Sequence, residues 1–436
     1  MIRTLATAVS RLVLRVFYRN VEAAGLDRVP ATGPTILVLN HPNGLMDPLL
    51  LLCLSPRPVS FLAKSPLFTM PFVSLFVKAF DSIPVYRPQD ADADVRRNRE
   101  TFAKAREMLK RGGVLALFPE GVSHDEPRLM PLKSGAARIA LGAAAEGAVA
   151  VAPAGLTYEA RDLFRSSALL RVAEPFTVDP IPLDEKGEPP RTAVKALTER
   201  LRVALEGATL QADDAATLDL AAFAESLLPA GDGSLEARVA VRRLLLERAA
   251  LLRDRAPERL ASLAARLDRF RAVLSSARLA PSALDSGASR AELAASTLAA
   301  LLLALFLAPP ALVGLLAHAP AYNLVGPLAK RLSRGNTDIV ATIKVLGAFL
   351  FFPLTWIALG TAAGLAWGLP LGLLTGLALP VLGYLALLLL ERWEATVAAL
   401  RALGLALVRR PALTRLRTER DALVNEMAAL DADCRV

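Results

Sequence analysis

Cysteine and histidine are scarce in this chain. Cys53 and Cys434 are the only cysteines among 436 residues, and only three histidines are present. Two distant cysteines cannot build a disulfide framework or a cysteine-rich metal site, and three histidines argue against a multi-histidine zinc site. The sequence therefore gives no support to a disulfide-stapled scaffold or a zinc-dependent domain.

Aromatic residues are also few, at 6% of the chain, and the sequence contains no zinc-finger, RNP or basic-leucine-zipper pattern. The net charge is +9 and the calculated pI is near 9.9. Such a basic chain can bind nucleic acid, an anionic membrane surface or phosphorylated substrates. Because it lacks a nucleic-acid motif, we expect no nucleic-acid partner.

Hydrophobic residues make up 54% of the chain and its mean hydropathy is +0.41, so part of it is expected to lie in lipid. Residues 1–20 do not resemble a cleavable signal peptide, because arginines interrupt the apolar residues. On a helix, Leu5, Val9, Leu12, Val13, Val16 and Phe17 would form one face opposite a stripe of Arg11, Arg15 and Arg19. This pattern predicts an interfacial amphipathic helix or, as readily, a helix packed on the next domain.

Residues 21–185 have the pattern of an α/β domain. Continuous apolar runs, which indicate strands of a mostly buried sheet, alternate with helical stretches such as 95–111, which ends at Gly112-Gly113. The predicted strands are 35–40, 58–63, 114–119 and 148–158. In such sheets ligands bind at the strand ends and in the loops that follow.

Two further regions are predicted to be helical, and one of them is apolar. Residues 190–290 indicate amphipathic helices bent near Pro257, without a catalytic constellation and with no role that the sequence reveals. Residues 293–329 carry no charge but contain four prolines, which favours a re-entrant or interfacial hairpin. Residues 345–390 are long enough for two transmembrane helices that turn near Pro370.

The charges that flank residues 345–390 predict the topology. Basic residues stand on both sides of the apolar pair: Lys330, Arg331, Arg334 and Lys344 before it, and Arg392, Arg401, Arg409 and Arg410 after it. Positive charge collects on the cytoplasmic side, so we expect both flanks there, with 391–436 as a basic cytoplasmic helical tail. A hairpin at 293–329 would keep the α/β domain on the same, cytoplasmic face.

The segment NHPNGLMDP, residues 40–48, is the strongest candidate for a chemical site. It follows an apolar strand directly and gathers the polar side chains of Asn40, His41, Asn43 and Asp47 where burial of polarity is costly. Asp47 is close enough in a tight loop to accept a hydrogen bond from His41 Nδ1–H. That bond would leave Nε2 free as a base, as in the histidine–aspartate half of a hydrolase triad.

This segment resembles the His–Asp signature of the glycerolipid acyltransferases, the family of glycerol-3-phosphate and lysophosphatidate acyltransferases. Three more segments resemble the family's other blocks, in the same order: FLAKSPLFTMPFVSLFVKAFDSIPVYRPQD (61–90), LFPEGVSHDEPRLMPLKSGAARIAL (117–141) and VAPAGLTY (151–158). The resemblance implies a mixed sheet flanked by helices, followed by a helical region and C-terminal membrane helices. It covers roughly residues 20–185.

The resemblance also implies a reaction and its residues. His41 would remove a proton from an acceptor hydroxyl while Asp47 orients the imidazole, and acyl-CoA or acyl-carrier protein would be a co-substrate, with no cofactor. Arg87 would bind the phosphate of a glycerol acceptor, assisted by Lys64. Gly121 would let backbone N–H groups approach substrate, and Glu120 would either contact the acceptor hydroxyl or hold its loop.

Two departures point to one subgroup. Five residues separate His41 from Asp47 where the family commonly has four, and Val122-Ser123-His124 follows FPEG where the family commonly has Thr-Arg-Ser. Both resemble the glycerol-3-phosphate/dihydroxyacetone-phosphate acyltransferase-like subgroup, which carries a hydrophobic C-terminal part. His124 or Lys133 could replace the missing arginine in the phosphate contact expected at Ser123.

Two other interpretations remain open at this point. A lipid-binding membrane scaffold could keep the motif without turnover, although His41, Asp47, Arg87 and Glu120 are all present. A metal-dependent phosphatase would need carboxylate and histidine clusters that the sequence lacks. The leading prediction is a membrane-bound O-acyltransferase of phospholipid synthesis.

Overall fold

A computed structural model describes residues 2–70, 73–87, 95–161, 163–229, 232–284, 290–333, 340–408 and 410–435. Residues 88–90 of the second motif block, and Arg334 and Arg409 of the topology prediction, lie outside these ranges.

The chain divides into two compact units. The first is formed mainly by residues 2–218 and 232–243, and the second mainly by residues 244–333 and 343–435.

An eight-stranded sheet forms the centre of the first unit. Its strands are β1 Tyr18–Ala24, β2 Thr35–Leu39, β3 Val59–Lys64, β4 Ile83–Val85, β5 Val114–Leu117, β6 Val149–Tyr158, β7 Ser166–Val172 and β8 Phe176–Val178. Their order is β1-β7-β6-β2-β5-β3-β4, and β8 pairs with β6. All four predicted strands are confirmed, as β2, β3, β5 and β6.

The sheet is mixed, as the family resemblance implied. Strands β2 to β6 are mutually parallel through the pairs β2–β5, β2–β6, β3–β5 and β3–β4. Strands β7 and β8 run antiparallel to β6, and β1 runs parallel to β7. The carboxyl ends of five parallel strands therefore lie at one edge of the sheet.

Helices cover both faces of this sheet because its central strands are apolar on both sides. They are α1 Ile2–Phe17, α2 Met46–Leu54, α3 Val73–Ala79, α4 Asn98–Lys110, α5 Gly135–Ala144 and α6 Arg191–Ala208. Helices α4, α5 and α6 share a core with the sheet, built around Leu115, Ile139 and Leu205, which are fully buried. The predicted helix 95–111 is present as a 3-10 turn at Val95–Arg97 followed by α4.

The predicted apolar face of the first helix is divided in the structure. Val13 and Phe17 are buried, whereas Leu5 and Leu12 are exposed. The helix ends at Phe17, and the last three residues of the expected helix 1–20 begin β1 instead. Helix α1 therefore packs on the domain with one apolar side and presents another apolar side outward.

The second unit is helical. Its elements are the C-terminal parts of α7 Ala215–Leu227 and α8 Leu235–Arg255, then α9 Pro257–Ser276, α10 Arg290–Ser333, α11 Val340–Trp367, α12 Leu369–Val408 and α13 Arg410–Arg435. Helix α8 ends just before Pro257, where a bend was predicted. Helices α11 and α12 meet at Gly368, whose φ of 97° suits glycine, close to the turn predicted near Pro370.

The hairpin predicted at 293–329 is wrong, because α10 is one continuous helix that contains Pro309, Pro310, Pro320 and Pro327. A proline removes one backbone donor and kinks a helix, but packing against a neighbouring helix can carry the helix through it. Helix α10 has such a neighbour. A Cβ added to Gly314 would lie 2.0 Å from the carbonyl oxygen of Leu382 on α12, so the two backbones are in direct contact.

Helices α10, α11 and α12 each contain a segment long and apolar enough to cross a membrane: Thr297–Ser333, Thr342–Trp367 and Leu369–Trp393. Near the middle of these segments, His318 Nδ1–H donates to the carbonyl of Gly314 at 2.7 Å and His318 Nε2 accepts from Trp356 Nε1 at 2.8 Å. Since Gly314 also contacts Leu382 on α12, the central parts of all three apolar segments lie together.

Candidate active site

The carboxyl edge of the parallel strands collects the predicted residues. His41 and Asp47 follow β2, and Glu120 and Gly121 follow β5, the strand beside it. Lys64 ends β3 and Arg87 follows β4, and these strands pair with Lys64 opposite Val85. Parallel pairing therefore places residues from three separate motif blocks, at the ends of four strands, at one edge.

His41 and Asp47 form a close pair. His41 Nδ1 lies 2.7 Å from Asp47 Oδ2, and the Asp47 side chain is completely buried. The N–H of Asn43 donates to the same oxygen at 2.8 Å. Asp47 stands in the first turn of α2, and its own N–H bonds to the carbonyl of Asn43 at 3.2 Å. The loop NHPNG and the start of α2 therefore hold this pair together.

Tyr158, at the end of β6, completes the environment of the carboxylate by donating to Asp47 Oδ1. Burial raises the pKa of Asp47, and the hydrogen bonds from His41, Tyr158 and Asn43 counter that effect. Burial and the adjacent Asp47 charge raise the pKa of Tyr158 well above its usual value. The tyrosine hydroxyl therefore stays protonated and remains a donor to Asp47.

The His41 side chain is partly exposed, and its Nε2 atom is unpaired within the described residues. Its side chain is 17% exposed, and its ring stacks on Phe118 with a centroid separation of 4.0 Å. With Nδ1 directed at Asp47, Nε2 forms no hydrogen bond to any described residue. The imidazole therefore has a fixed orientation and one nitrogen free to take a proton.

Glu120 is buried and holds neighbouring backbone. One oxygen accepts from the N–H of His41 at 3.1 Å, and the other accepts from the N–H of Met130 at 2.8 Å and from His124 Nε2. Burial by itself would lower the pKa of His124, but the hydrogen bond and charge of Glu120 outweigh it and raise that pKa. This geometry favours the loop-holding role of Glu120 over direct contact with an acceptor.

Arg87 and Lys133 lie beside the loop that follows β5. Arg87 Nη1 donates to the carbonyl of Gly121 at 2.9 Å. Gly121 has a φ of 75°, and the Lys133 stem would lie 3.5 Å from a Cβ placed there. Lys133 and Lys64 are exposed and Ser123 is half-buried. The structure thus brings Arg87, Gly121 and Lys133 together. Lys64 lies opposite Val85, two residues before Arg87.

Sequence reasoning singled out neither Tyr158 nor the role of Asn40. The Asn40 side chain bonds to both the N–H and the carbonyl of Leu156, at 2.7 and 3.0 Å, and so extends the pairing of β2 with β6. Tyr158 is the last residue of the VAPAGLTY block, but only the folded structure shows that it contacts Asp47.

Among the residues that the structure describes, no group of three His, Cys, Asp or Glu side chains could hold a metal ion.

Comparison with known proteins agrees with this geometry. Residues 20–157 match the protein-family model described as Acyltransferase. That range contains β2 to β5, most of β6 and every predicted site residue. This segment of the chain is therefore a domain of the acyltransferase family.

The chain is also similar in sequence to three named acyltransferases. The chain is 41% identical over 124 residues to glycerol-3-phosphate O-acyltransferase 2 of Saccharomyces cerevisiae, covering 28% of this chain and 17% of the relative. It is 25% identical over 305 residues to glycerol-3-phosphate O-acyltransferase 1 of the same yeast, covering 49% and 40%. It is 30% identical over 139 residues to a chloroplastic 1-acyl-sn-glycerol-3-phosphate acyltransferase of Arabidopsis thaliana, covering 31% and 35%. The chain spans less than half the length of each of these relatives.

Proposed function

We propose that this chain transfers a fatty acyl group from acyl-CoA or acyl-carrier protein to a hydroxyl of a phosphorylated glycerol. Glycerol-3-phosphate is the acceptor we favour over a lysophosphatidate. This preference is supported by the relatives named glycerol-3-phosphate O-acyltransferase and by the departures of the first and third motif blocks. The observation that carries the proposal is the His41–Asp47 pair, 2.7 Å apart, with Nε2 open at the carboxyl edge of the sheet.

In the proposed reaction, His41 Nε2 takes the proton of the acceptor hydroxyl as its oxygen attacks the thioester carbonyl. Asp47 keeps Nδ1–H in place and stabilises the imidazolium that forms. When the tetrahedral intermediate collapses, the carbon–sulfur bond breaks and the imidazolium returns its proton to the leaving thiolate. Ester and free thiol are the products, and the histidine ends in its starting state.

The cationic residues keep their predicted roles in this proposal. Arg87, Lys64 and Lys133 would provide positive charge beside the acceptor, with Ser123 as a hydrogen-bonding neighbour. Gly121 has a positive φ, which glycine adopts without strain because it has no Cβ. Its backbone can therefore approach a substrate closely. Glu120 would act through the loops that it holds, since both of its oxygens already accept hydrogen bonds.

The apolar helices suggest that the protein is associated with a membrane. We place the acyltransferase domain on the cytoplasmic face, in contact with membrane lipids, because its thioester donors are cytoplasmic. An acyl chain would then reach the interface while the polar acceptor approaches from water.

Replacement of His41 tests the proposal. We expect His41→Ala to abolish acyl transfer, measured with radiolabelled acyl-CoA and acyl-carrier protein against glycerol-3-phosphate, dihydroxyacetone phosphate and lysophosphatidate. Its thermal stability and membrane fraction should match the wild type, because His41 is partly exposed and outside the apolar core. Turnover retained by His41→Ala would contradict its role as the base.

The same assay separates the enzyme from a lipid-binding scaffold. A scaffold would bind lipid but form no ester with any of these acceptors and donors. An absence of product from the wild-type protein in every combination would therefore overturn the proposed function.

A further inference from the structure

Exposed apolar side chains of the first unit collect on one side of it. Among the described residues of 2–218, the large apolar side chains that are exposed are Ile2, Leu5, Val9, Leu12, Met70, Leu75, Leu163 and Val203. The first six lie on α1, on α3 or just before α3, and α3 contacts α1. We call these six side chains the α1 patch. Clustered exposed apolar side chains, unlike single ones, mark a surface that binds another apolar surface.

Helices α4, α5 and α6 lie apart from this patch. They pack with the sheet in one core, and that core contains no described residue of α1, α2 or α3. Val203 on α6 is the one large apolar side chain that is exposed among the described residues of these three helices. The first unit therefore has an apolar side at α1 and α3 and a more polar side at α4, α5 and α6.

Positive charge borders the α1 patch. Exposed residues of α1 recur every three or four positions, so its exposed apolar side chains form one strip of the helix. The strip beside it contains exposed arginines, Arg11 and Arg15 on α1 and Arg19 at the start of β1. Helix α1 has no acidic residue, so no carboxylate of the helix itself neutralises this strip.

A bilayer that contains anionic phospholipid matches both strips. Apolar side chains of an interfacial helix enter the boundary of the acyl region, while arginines beside them bind lipid phosphates. The same chain has three segments long enough to cross a membrane, so a bilayer is the apolar surface available to this domain.

The C-terminal end of α1 is tied to the segment that precedes β7. Arg165 Nη1 donates to the carbonyls of Arg15 and Tyr18, at 2.8 and 3.0 Å. The N–H of Arg165 donates to the carbonyl of Phe17 at 2.6 Å. These bonds satisfy carbonyls that the end of a helix leaves without intrahelical partners, and they fix the point at which α1 enters the sheet.

Tyr18 connects α1 to the catalytic pair. It is the first residue after α1, its side chain is fully buried, and its ring stacks on that of Tyr158 with a centroid separation of 5.7 Å. Tyr158 donates to Asp47, which in turn contacts His41. Only two aromatic rings therefore separate the end of α1 from the carboxylate that orients the imidazole.

We propose that the α1 patch docks on a bilayer surface containing anionic phospholipid, and that docking holds Tyr18 against Tyr158 and so raises kcat. The effect on kcat rests on the proposed function, whereas docking does not. Docking restrains α1, and this restraint passes through the two stacked rings to Asp47. The carboxylate then keeps the orientation that His41 needs to take a proton.

A fluorescent label on α1 tests docking without requiring turnover. The full chain, with Cys53 and Cys434 replaced by serine, is placed in lipid nanodiscs of neutral lipid or of neutral and anionic lipid. An environment-sensitive fluorophore on Leu12→Cys should emit at shorter wavelength in the anionic nanodiscs. The same fluorophore on Val203→Cys is the matched control and should not shift, because Val203 is exposed on α6.

The arginine strip gives a second measurement of docking. Arg11→Gln and Arg15→Gln should each lower the ratio of docked to undocked protein roughly fivefold, the contribution of one arginine near an anionic surface. A spectrum of the Leu12→Cys label that does not depend on anionic lipid would overturn the docking.

Acyl transfer in the same nanodiscs tests the connection to the catalytic pair. The kcat of the wild type, separated from both KM values, should be higher with anionic lipid. Tyr18→Leu removes the stacked ring and should abolish this difference, while the label on Leu12→Cys still shifts. Tyr18→Phe keeps the ring and should restore the difference.

Two results separate the failure of this connection from the failure of the proposed function. A Tyr18→Leu protein whose kcat still rises with anionic lipid as in the wild type would overturn the connection. Absence of acyl transfer by the wild type in every nanodisc would instead refute the proposed function, and with it the effect on kcat, while the fluorescence would still decide the docking.

Discussion

Both oxygens of Asp47 are occupied, and one of the donors comes from a strand more than a hundred residues away. Oδ2 accepts from His41 and from the N–H of Asn43, while Oδ1 accepts from Tyr158. A buried carboxylate with a free oxygen could rotate or remain partly protonated. We therefore propose that Tyr158 is a positioning residue, which holds Asp47 in the orientation that His41 needs.

We expect Tyr158→Phe to lower kcat by roughly 10–100-fold, the range found for partners that orient a functional side chain, with little change in either KM. Asp47→Asn should cost more, roughly 10⁴-fold by analogy with the hydrolase triad. Steady-state kinetics of both variants and of the double variant give the result.

The double variant distinguishes positioning from general damage. If Tyr158 acts through Asp47, adding Tyr158→Phe to Asp47→Asn should have little further effect on kcat. Independent, multiplying losses would contradict this role for Tyr158.

Glu120 illustrates why a residue's partners are hard to predict from its motif. The sequence left two roles open, contact with the acceptor or support of the loop. Its partners include the N–H of His41, 79 positions away, and that of Met130, ten positions away. The pairing of β2 with β5 brings the N–H of His41 to Glu120, and the loop after β5 brings that of Met130.

Among the secondary structure elements, the central strands were the easiest to predict. Strands β2, β5 and β6 are continuous apolar runs, since both of their faces are buried. Strand β1, with the sequence YRNVEAA, is half-exposed and lies at the edge of the sheet, so it lacks that signal. Strands β4 and β8 have only three residues each, too few for any periodicity to appear.

Helix α10 shows the opposite difficulty, because its prolines suggested a break that tertiary packing prevents. The glycines of α10 and α12 provide a test. Gly314→Ala would place a Cβ 2.0 Å from the carbonyl oxygen of Leu382, whereas Gly404 in α12 has no atom within 4 Å of such a Cβ and no proline beside it.

We expect Gly314→Ala to destabilise the α10–α12 packing by about 1–3 kcal/mol, the usual cost of overpacking. Gly404→Ala should be neutral or stabilising, because alanine favours a helix by about 1 kcal/mol over glycine. Unfolding of the full chain in detergent, followed by circular dichroism, measures both variants. Equal stability of the two would contradict direct backbone contact at Gly314.

For the whole molecule, the continuous α10 changes the membrane topology that the charge pattern suggested. With a hairpin, both ends of 293–329 would lie on one face, and so would the α/β domain and Lys330. We infer from the contacts of α10 with Trp356 on α11 and with Leu382 on α12 that α10, α11 and α12 cross the membrane as three helices. An acyltransferase domain in the cytoplasm then requires the connection after α10 to lie on the opposite face.

Cysteine labelling tests this topology in a chain with Cys53 and Cys434 replaced by serine. With three crossings and a cytoplasmic acyltransferase domain, a membrane-impermeant reagent added from outside should label Arg334→Cys but not Leu369→Cys. Two crossings by α11 and α12 alone, with positive flanks inside, would give the reverse pattern. The reverse pattern would contradict a crossing by α10.

The amino-acid pattern was sufficient for features that depend on near neighbours in the chain. These include the apolar strands, the helical and membrane-length segments, and the His41–Asp47 pair, whose members share one short loop. Tertiary structure was needed for the Tyr158–Asp47 bond and for the hydrogen bond from the N–H of His41 to Glu120. These groups are far apart in sequence and meet because β2 lies between β5 and β6, an arrangement set by the burial of both faces of the sheet rather than by any local preference.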